Sequence, residues 1–463
     1  MKNYFSFVLF IPFMLSSIVH AKISASDAEK QLTSLLRDTK NVNTDVVLVY
    51  KDGKIIYQRY AREYGPNTKH ISWSMGKTIS GILIGIAESE GLLSIDDPVK
   101  KYFPQFKAST RIIDLLGMSS GLKYKEMYQG LPIDLDVTNM MYMDGTKTGF
   151  GNYMLSRTLS PVGGPGEYFN YASGDTNLLM AVLQKAINNQ SVYNNYPWDK
   201  FFKPLGIDAT FEQDLKGTFA GASYIYMKAT DFLKVGQLIV NKGMWNGQQI
   251  IPPKYFELMN TVAAGVQRKV QKGNPANKAY GAHVTTNLPI DGRGLPSQFN
   301  DLPLDSLILF GHQGQIVAAS PSENLVIVKL AMDKKALSDI NFFAAVKTLI
   351  LAKDMPYETV GSMKGISGVD HEPEGRGLIS TIFTIPRLLR AFSAKEYCSC
   401  RFVVGRSEAA CKSDLKAHSP ILPKVKIKDD KTVVATLGLG LFHKKSKAVY
   451  RGKTFGCTLA ESE

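Results

Sequence analysis

The chain has 463 residues and an ordinary globular composition, with 44% hydrophobic and 21% charged residues. These proportions exclude an intrinsically disordered, collagen-like or coiled-coil protein, and the length is sufficient for more than one domain. Lysine and arginine number 55 against 41 aspartate and glutamate, a net charge of +14, which favours anionic surroundings.

The first 21 residues have the three parts of a secretory signal peptide, namely Lys2, an apolar run from Tyr4 to Ile18 and the small residue Ala21. We expect cleavage after Ala21. The alternative is a membrane anchor, but the run is shorter than the ~20 residues that a spanning helix needs. The mature protein is therefore predicted to be bacterial, periplasmic or secreted, in an oxidising compartment and without a transmembrane segment.

The next elements predicted along the chain are a helix, a hairpin and a buried helix. Ser26 and Glu29 form a capping box that begins the first helix. Asp52-Gly53 joins two β-rich runs, 46–50 and 55–60, through a tight turn. The residues from Met75 to Glu90 are helix-compatible and apolar almost all round, which indicates a helix buried at the centre.

Residues 93 to 225 are predicted to form a largely helical insertion, because helical pieces alternate with loops rich in Gly, Pro, Asn and Tyr. Thr230 begins a helix that ends before Gly243. Strands Leu307 to Ser320 and Leu325 to Met332 follow, and a last helix spans Ile340 to Leu351. This order predicts an α/β (α+β) domain, an antiparallel sheet flanked by helices with an all-helical subdomain and a cleft between them.

The composition changes after residue 356, where Gly361 to Gly377 is rich in glycine and charge and predicts a linker. We therefore divide the mature chain into a main domain, 22–355, and a basic C-terminal module, 356–463. The module contains all four cysteines, Cys398, Cys400, Cys411 and Cys457. Four cysteines allow three pairings, and export favours disulfides over zinc.

The C-terminal module is also basic, with 18 Lys and Arg against 11 Asp and Glu between residues 357 and 463. The basic residues cluster from Lys424 to Lys431 and from Lys444 to Lys453. Such a cluster is commonly a solvated face, and the alternative is a patch that holds an anionic cell wall or lipid.

Ser74-Met75-Gly76-Lys77 is an S-x-x-K sequence at the start of the buried helix. Three residues make nearly one helical turn, so the Ser74 hydroxyl and the Lys77 ammonium should face the same way. The helix N-terminus stabilises negative charge that develops at the serine. The alternative is a helix cap with an exposed lysine, because Ser120/Lys123 and Ser413/Lys416 show that the spacing also arises by chance.

A loop from Pro165 to Asp175 contains Tyr171 and Ser173, which could place a phenol and a hydroxyl on one side of a cleft. A neighbouring ammonium would lower the pKa of the phenol from near 10 and make it a plausible base. The alternative is an ordinary turn, since Tyr193-Asn194-Asn195 has a similar pattern.

The third pattern, His312, Gly314 and Gln315, lies within the predicted strand from Leu307. Glycine in a strand permits the close approach of a substrate backbone, and the Gln315 N–H could then point into the cleft. A single histidine on a strand is more often structural. The functional interpretation of His312 is therefore supported by the order of all three motifs along the chain.

This order resembles the serine β-lactamase and penicillin-recognising superfamily, specifically the branch of class C β-lactamases, D-aminopeptidases, esterases and 6-aminohexanoate-dimer hydrolases. The family patterns are S-x-x-K, Y-x-N or Y-x-S, and K-T-G or H-x-G. The matches here are Ser74/Lys77, Tyr171/Ser173 and His312/Gly314. The resemblance covers roughly residues 40 to 350 and departs from the commoner pattern where Ser173 replaces asparagine and His312 replaces lysine.

The resemblance implies that Ser74 attacks a carbonyl to form an acyl-enzyme, while Lys77 and Tyr171 share the proton transfers. The backbone N–H groups of Ser74 and Gln315 would form the oxyanion hole, and Ser173, His312 and Gly314 would contact substrate. No metal or organic cofactor is expected. A general-base glutamate on a loop, as class A β-lactamases use, cannot be assigned from the sequence.

We therefore predict an exported serine hydrolase that cleaves an amide or ester bond in peptide-like or D-amino-acid-containing substrates. An esterase or oligomer-amide hydrolase is the alternative within the same chemistry. A non-catalytic cell-wall binding or sensor protein, or a protein tethered to anionic cell wall through its basic module, is the alternative from another class. Nucleic acid is not an expected partner.

Overall fold

A six-stranded antiparallel sheet lies at the centre of the fold, with the strand order β2-β1-β11-β10-β9-β8. The computed structural model describes residues 23–36, 39, 42–126, 135–268, 278–333, 339–357, 378–418, 421–437 and 444–460. The predicted signal peptide and the predicted linker from Gly361 to Gly377 lie outside the described residues. The strands of the first 357 residues are β1 Thr44–Lys51, β2 Lys54–Tyr60, β3 Lys69–Ile71, β4 Thr210–Phe211, β5 Ile225–Lys228, β6 Met244–Trp245, β7 Gln248–Gln249, β8 Thr285–Thr286, β9 Leu307–Gly311, β10 Gln315–Ser320 and β11 Leu325–Ala331.

Helices cover the sheet and form the predicted insertion. Those of the first 357 residues are α1 Ala25–Leu35, α2 Gly76–Ser89, α3 Ile112–Leu116, α4 Asp136–Tyr142, α5 Asp144–Thr148, α6 Phe150–Leu155, α7 Ser173–Ile187, α8 Gln190–Pro197, α9 Ala229–Val240, α10 Pro253–Met259, α11 Ala264–Gln267 and α12 Asp339–Ala352. The predicted fold class, an antiparallel sheet flanked by helices with a helical subdomain, is confirmed.

Both faces of the central sheet are buried, because successive side chains of a strand point to opposite faces. Val47 and Val49 of β1 pack in the layer with α1 and α12. Val46 and Leu48 pack in the larger core that includes α2, α7 and α9. Helix α2 is therefore buried at the centre of the protein, as its apolar sequence predicts.

Three local predictions are wrong in detail. The first helix is capped by Ser24, whose hydroxyl accepts from Asp27 N–H at 3.1 Å, so the capping pair lies two residues before the predicted one. The predicted strand Leu307 to Ser320 is two strands, β9 and β10, because Gln313 and Gly314 have positive φ angles and form a hairpin turn. Helix α7 begins at Ser173, so this serine belongs to a helix start and not to a loop.

The C-terminal residues form a long helix and a second sheet. A four-stranded antiparallel sheet has the strand order β12-β13-β14-β15, and Cys398–Cys457 and Cys400–Cys411 are disulfide-bonded, as the cysteine content predicts. No helix in the described part of the chain is long and apolar enough to cross a membrane. The elements are α13 Leu378–Cys398, α14 Glu408–His418, α15 Gly452–Phe455, β12 Lys424–Ile427, β13 Thr432–Leu437, β14 Lys444–Tyr450 and β15 Cys457–Leu459.

Glu212 joins this C-terminal segment to the main domain. Its carboxylate lies 2.6 Å from the Lys395 ammonium and accepts from the Ser399 hydroxyl and the Cys457 N–H, each at 2.8 Å. Glu212 and Lys395 are both buried. A buried charge of this kind needs its partners, so the segment and the main domain share one core.

Candidate active site

Ser74 lies in a single 3₁₀ turn, Trp73–Met75, immediately before α2. Trp73 has φ +43°, a left-handed conformation that bulky residues rarely adopt and that marks local backbone strain. The Ser72 hydroxyl holds the turn by donating to Ser223 O at 2.9 Å. A Cβ at Gly311 would lie 2.8 Å from Ser72 O, so glycine allows β9 to pack closely against this turn. The nucleophile candidate is therefore fixed between the central sheet and the buried helix.

The Lys77 side chain is buried and contacts three oxygen atoms. Its ammonium nitrogen lies 3.0 Å from Ser74 Oγ, 2.8 Å from Ser173 Oγ and 3.1 Å from Ala222 O. Only 1% of Lys77 is exposed. The alternative interpretation of the motif, a helix cap with an exposed lysine, is therefore wrong.

Burial lowers the pKa of Lys77 from its ordinary value to about 8, because removal from water disfavours the charged form. The negative charge of Glu126 acts in the opposite direction and raises this pKa. A lysine with a pKa of about 8 is partly neutral near neutral pH, and a neutral amine can accept the proton of Ser74.

Glu126 is the site residue that sequence reasoning missed. Its carboxylate accepts from the Ser173 hydroxyl at 2.5 Å and from the Ser173 backbone N–H at 2.8 Å. Ser74, Lys77, Ser173 and Glu126 thus form one chain of hydrogen bonds. The only signal in the sequence was a carboxylate on the loop after Ser120-Gly121, and no spacing rule connects position 126 with 173.

Tyr171 lies beside the lysine, as predicted. The Lys77 nitrogen is 5.0 Å from the centroid of the Tyr171 ring, and this ring packs edge-on to Tyr280 at 6.0 Å. An ammonium at this distance from an aromatic face is attracted by the ring. The role of Tyr171 as a base stays a prediction.

His312 lies next to the nucleophile turn. Its ring packs edge-on to Trp73 with 5.7 Å between the ring centroids. The histidine is at the hairpin between β9 and β10 and not inside a strand, so its placement depends on the turn made by Gln313 and Gly314. Contact between His312 and a substrate stays a prediction.

Gly314 has a structural reason to be glycine. A Cβ at this position would lie 2.4 Å from an Asp333 carboxylate oxygen, and its carbonyl accepts from Lys329 at 2.8 Å. Lys329 and Asp333 are a buried ion pair at 2.7 Å. The positive φ of the turn and the close packing on this pair both favour glycine, and contact between Gly314 and a substrate stays a prediction.

Gln315 begins β10 and pairs with Gly311, the residue that packs on the nucleophile turn. Gln315 is fully buried, and within the described residues neither atom of its side-chain amide has a hydrogen-bond partner. The contribution of the Gln315 backbone N–H to an oxyanion hole stays a prediction. The described residues contain no group of three or more His, Cys, Asp or Glu that could hold a metal ion.

Comparisons with known proteins identify relatives and solved structures that this chain resembles. A 6-aminohexanoate-dimer hydrolase of Paenarthrobacter ureafaciens is 23% identical over 265 residues, which are 54% of this chain and 64% of that protein, slightly less than two thirds. A teichoic acid D-alanine hydrolase of Staphylococcus aureus is 26% identical over 342 residues, 68% of this chain and 76% of that protein. The solved structure of EstCE1, a hydrolase with promiscuous acyltransferase activity, superimposes with a TM-score of 0.53 at 16% identity and covers 70% of this chain and 99% of its own.

These relatives carry hydrolase names, in agreement with the predicted enzyme class, a serine hydrolase related to β-lactamases. The structural likeness at 16% identity shows the fold. The Beta-lactamase family matches residues 30–341, which include the S-x-x-K serine and lysine and extend to the beginning of α12. The predicted family is therefore confirmed, and the chain belongs to the Beta-lactamase family.

Proposed function

We propose that the protein is an exported serine hydrolase that cleaves an amide or ester bond through an acyl-enzyme on Ser74. The observation that carries this proposal is the 3.0 Å contact between Ser74 Oγ and the buried nitrogen of Lys77. A serine hydroxyl is a weak nucleophile until a neighbouring base accepts its proton.

In the proposed first step, the neutral amine of Lys77 accepts the hydroxyl proton while Ser74 Oγ forms a bond to the substrate carbonyl carbon. The tetrahedral oxyanion is stabilised by the backbone N–H groups of Ser74 and Gln315. In a comparable hydrolase, one donor of this kind lowers the activation free energy by about 3 kcal/mol. The bond to the leaving amine or alcohol then breaks, and the leaving group takes a proton that Lys77 or Tyr171 returns.

In the second step, a water molecule attacks the ester carbonyl of the acyl-enzyme and releases the acid. The proton of this water passes back through the same hydrogen-bonded groups, and Ser74 regains its hydroxyl proton. Ser173 accepts from Lys77 at 2.8 Å and so keeps the lysine nitrogen directed toward the nucleophile throughout the cycle.

We infer that the substrates are peptide-like or contain D-amino acids. The support is the name of the Staphylococcus aureus relative, a teichoic acid D-alanine hydrolase, which matches 68% of this chain. The 6-aminohexanoate-dimer relative supports the alternative, an oligomer-amide hydrolase. The esterase alternative depends on the resemblance of the sequence motifs to the family. All three alternatives use the same acyl-enzyme chemistry.

The proposed location is periplasmic or secreted. The support is the charged, apolar and small-residue order of the first 21 residues and the pairing of all four cysteines. Stable disulfides form in oxidising compartments outside the cytoplasm.

The experiment combines a fluorophosphonate probe with a panel of p-nitrophenyl esters, D-amino-acid anilides and a chromogenic cephalosporin. Intact mass and product release are measured together on the mature protein and on Ser74→Ala. Labelling of Ser74 and turnover of one substrate class, both lost in the variant, support the proposal. Absence of labelling and turnover would instead support a non-catalytic binding or sensor protein on the same fold.

A further inference from the structure

The C-terminal sheet presents lysines in two rows on one face. In each row, a residue of the middle strand β13 is paired with a lysine on β12 and a lysine on β14. Residues directly opposite on neighbouring strands share a face, and so do residues two apart along one strand. The rows are Lys424–Thr436–Lys445 and Lys426–Val434–Lys447, and we call the four lysines the lysine face.

The lysine face points away from the core. The opposite face of the same strands is closed by packing against α13, and its residues Val433, Ala435, Ser446 and Ala448 are 0 to 2% exposed. On the lysine face, Lys424, Lys426 and Lys445 are exposed and Lys447 is half-buried. The Cys398–Cys457 disulfide ties β15 of this sheet to α13, and the Glu212–Lys395 pair joins α13 to the main domain.

Protection of a sheet edge does not explain all four of these lysines. β12 is the first strand in the order of this sheet, and lysines on an edge strand hinder pairing with another chain. Lys445 and Lys447 lie on β14, which pairs with β13 along residues 444–449 and with β15 at residues 448–450. The Lys447 carbonyl accepts from the Ala460 N–H at 2.9 Å. The backbone of Lys447 is therefore bonded on the β15 side as well, so protection of an edge does not explain this lysine.

The spacing of the lysines concentrates positive charge. Strands about 4.8 Å apart place the two lysines of one row about 10 Å apart, and the rows follow at about 7 Å along the strand. These distances do not exceed the Debye length of about 10 Å at 0.1 M salt, so the charges repel one another. Residues 421–460 contain nine basic and two acidic residues, and the acidic pair, Asp429 and Asp430, follows the end of β12.

We propose that the lysine face binds a linear phosphodiester polymer of the cell envelope, lying along β13 between the two columns of lysines. The strip between the columns consists of Thr432, Val434 and Thr436, which carry no charge. A polymer on this strip would place successive phosphates between lysines on both sides and relieve their repulsion.

The side chains of the face distinguish this partner from two others. Lysine, threonine and valine offer neither the aromatic rings nor the arginines on which single-stranded nucleic acids stack. They also offer no large apolar residue that would insert into a bilayer. Lysine ammonium groups are compact point charges that suit phosphate without base contacts.

The test measures retention of the full-length mature protein on immobilised poly(glycerol phosphate) over a range of salt concentrations. The face variant is K424Q/K426Q/K445Q/K447Q. The matched control is K54Q/K100Q/K107Q/K242Q, which removes the same charge from lysines that are exposed elsewhere. Circular dichroism and thermal unfolding verify that both variants are folded.

We expect the apparent Kd of the face variant to rise about tenfold or more at low salt, with a shallower dependence on salt, and that of the control by less than about threefold. Equal weakening in both variants would show that only net charge matters and would overturn the proposal. Tighter binding to phosphatidylglycerol vesicles or to single-stranded DNA than to the polymer would also overturn it.

This inference depends on the proposed export, because the polymer lies outside the cytoplasm, and not on hydrolysis. Retention does not require turnover, so it is read separately from fluorophosphonate labelling of Ser74. Loss of labelling with intact retention contradicts the hydrolase proposal alone, and intact labelling with no retention contradicts the lysine face alone.

Discussion

Ser173 donates two hydrogen bonds to Glu126, from its hydroxyl at 2.5 Å and from its backbone N–H at 2.8 Å, one to each oxygen of the carboxylate. The same hydroxyl oxygen accepts from the Lys77 nitrogen. Since Ser173 donates its single proton to Glu126, it presents a lone pair to Lys77. The carboxylate therefore orients the serine, and the serine orients the lysine that contacts Ser74.

The decrease of kcat/KM at acid pH, the acid limb of the pH profile, should follow the protonation of the Lys77 amine. Its pKa of about 8 means that the amine is increasingly protonated below pH 8 and cannot accept the Ser74 proton. We expect kcat/KM to fall by about tenfold per pH unit below that value and to level off above it. The measurement uses an ester whose leaving group does not titrate in this range. A flat profile between pH 6 and 9 would contradict the role of Lys77 as the base.

His283 cannot produce this limb. It is buried beside the same helix, and burial lowers its pKa to about 3. Its ring nitrogens contact Leu116 O at 2.9 Å and the Thr176 hydroxyl at 3.0 Å, which is a structural arrangement.

Glu126→Gln should move the acid limb to lower pH. The carboxylate raises the pKa of Lys77, so its removal leaves burial as the dominant effect and lowers that pKa further. The single oxygen of the glutamine amide cannot accept both hydrogen bonds from Ser173 in the way that the two carboxylate oxygens do. We therefore expect the pH-independent kcat to fall by about tenfold. Glu257→Gln, which changes an exposed glutamate on α10, is the control. If kcat falls and the limb does not move, Glu126 has only a structural role.

Ser173→Ala should reduce kcat/KM by about 100-fold, because Lys77 loses an acceptor at 2.8 Å and Glu126 loses the hydroxyl donor. Ser173→Thr keeps the hydroxyl and should recover part of the activity. The exposed Ser191→Ala on α8 serves as the control for a serine that lies outside the site. Equal rates in the alanine and threonine variants would show that the hydroxyl is not used.

The two disulfides should contribute unequally to stability. Cys398 and Cys457 are separated by 59 residues and Cys400 and Cys411 by 11, and a longer closed loop restricts the unfolded chain more. The loop-entropy relation gives about 4 kcal/mol for the longer loop and about 3 kcal/mol for the shorter one. Paired alanine variants, unfolded in urea under oxidising conditions, measure the difference. A larger loss from the Cys400/Cys411 pair would contradict this order.

Lys395→Met should lower the free energy of unfolding by about 3 to 5 kcal/mol, because Glu212 would keep a buried charge without its cation. The double variant Glu212→Gln/Lys395→Met removes both charges and should recover part of the loss. Lys412→Met breaks an exposed pair with Glu408 and should lower the free energy of unfolding far less, because water and salt screen this pair. The comparison is made by urea unfolding, and equal losses from Lys395→Met and Lys412→Met would show that the buried pair does not join the two parts.

The sequence by itself determined the features that depend on near neighbours along the chain. The buried helix α2, the hairpin at Asp52-Gly53 and the serine and lysine one turn apart follow from helical periodicity, turn chemistry and residue spacing. These are local effects, so they can be read without knowing what the rest of the chain does.

Only the tertiary structure decided the contacts between distant residues. Glu126 and Ser173 are 47 residues apart, and Glu212 and Cys457 are 245 apart, so no periodic pattern connects them. The prediction missed the break between β9 and β10 because glycine within a strand can also mark a close approach, whereas the turn at Gly314 packs on the Lys329–Asp333 pair. Packing, burial and electrostatic partners depend on the whole fold. For this reason the sequence motifs identified only part of the site, and the tertiary structure identified the rest.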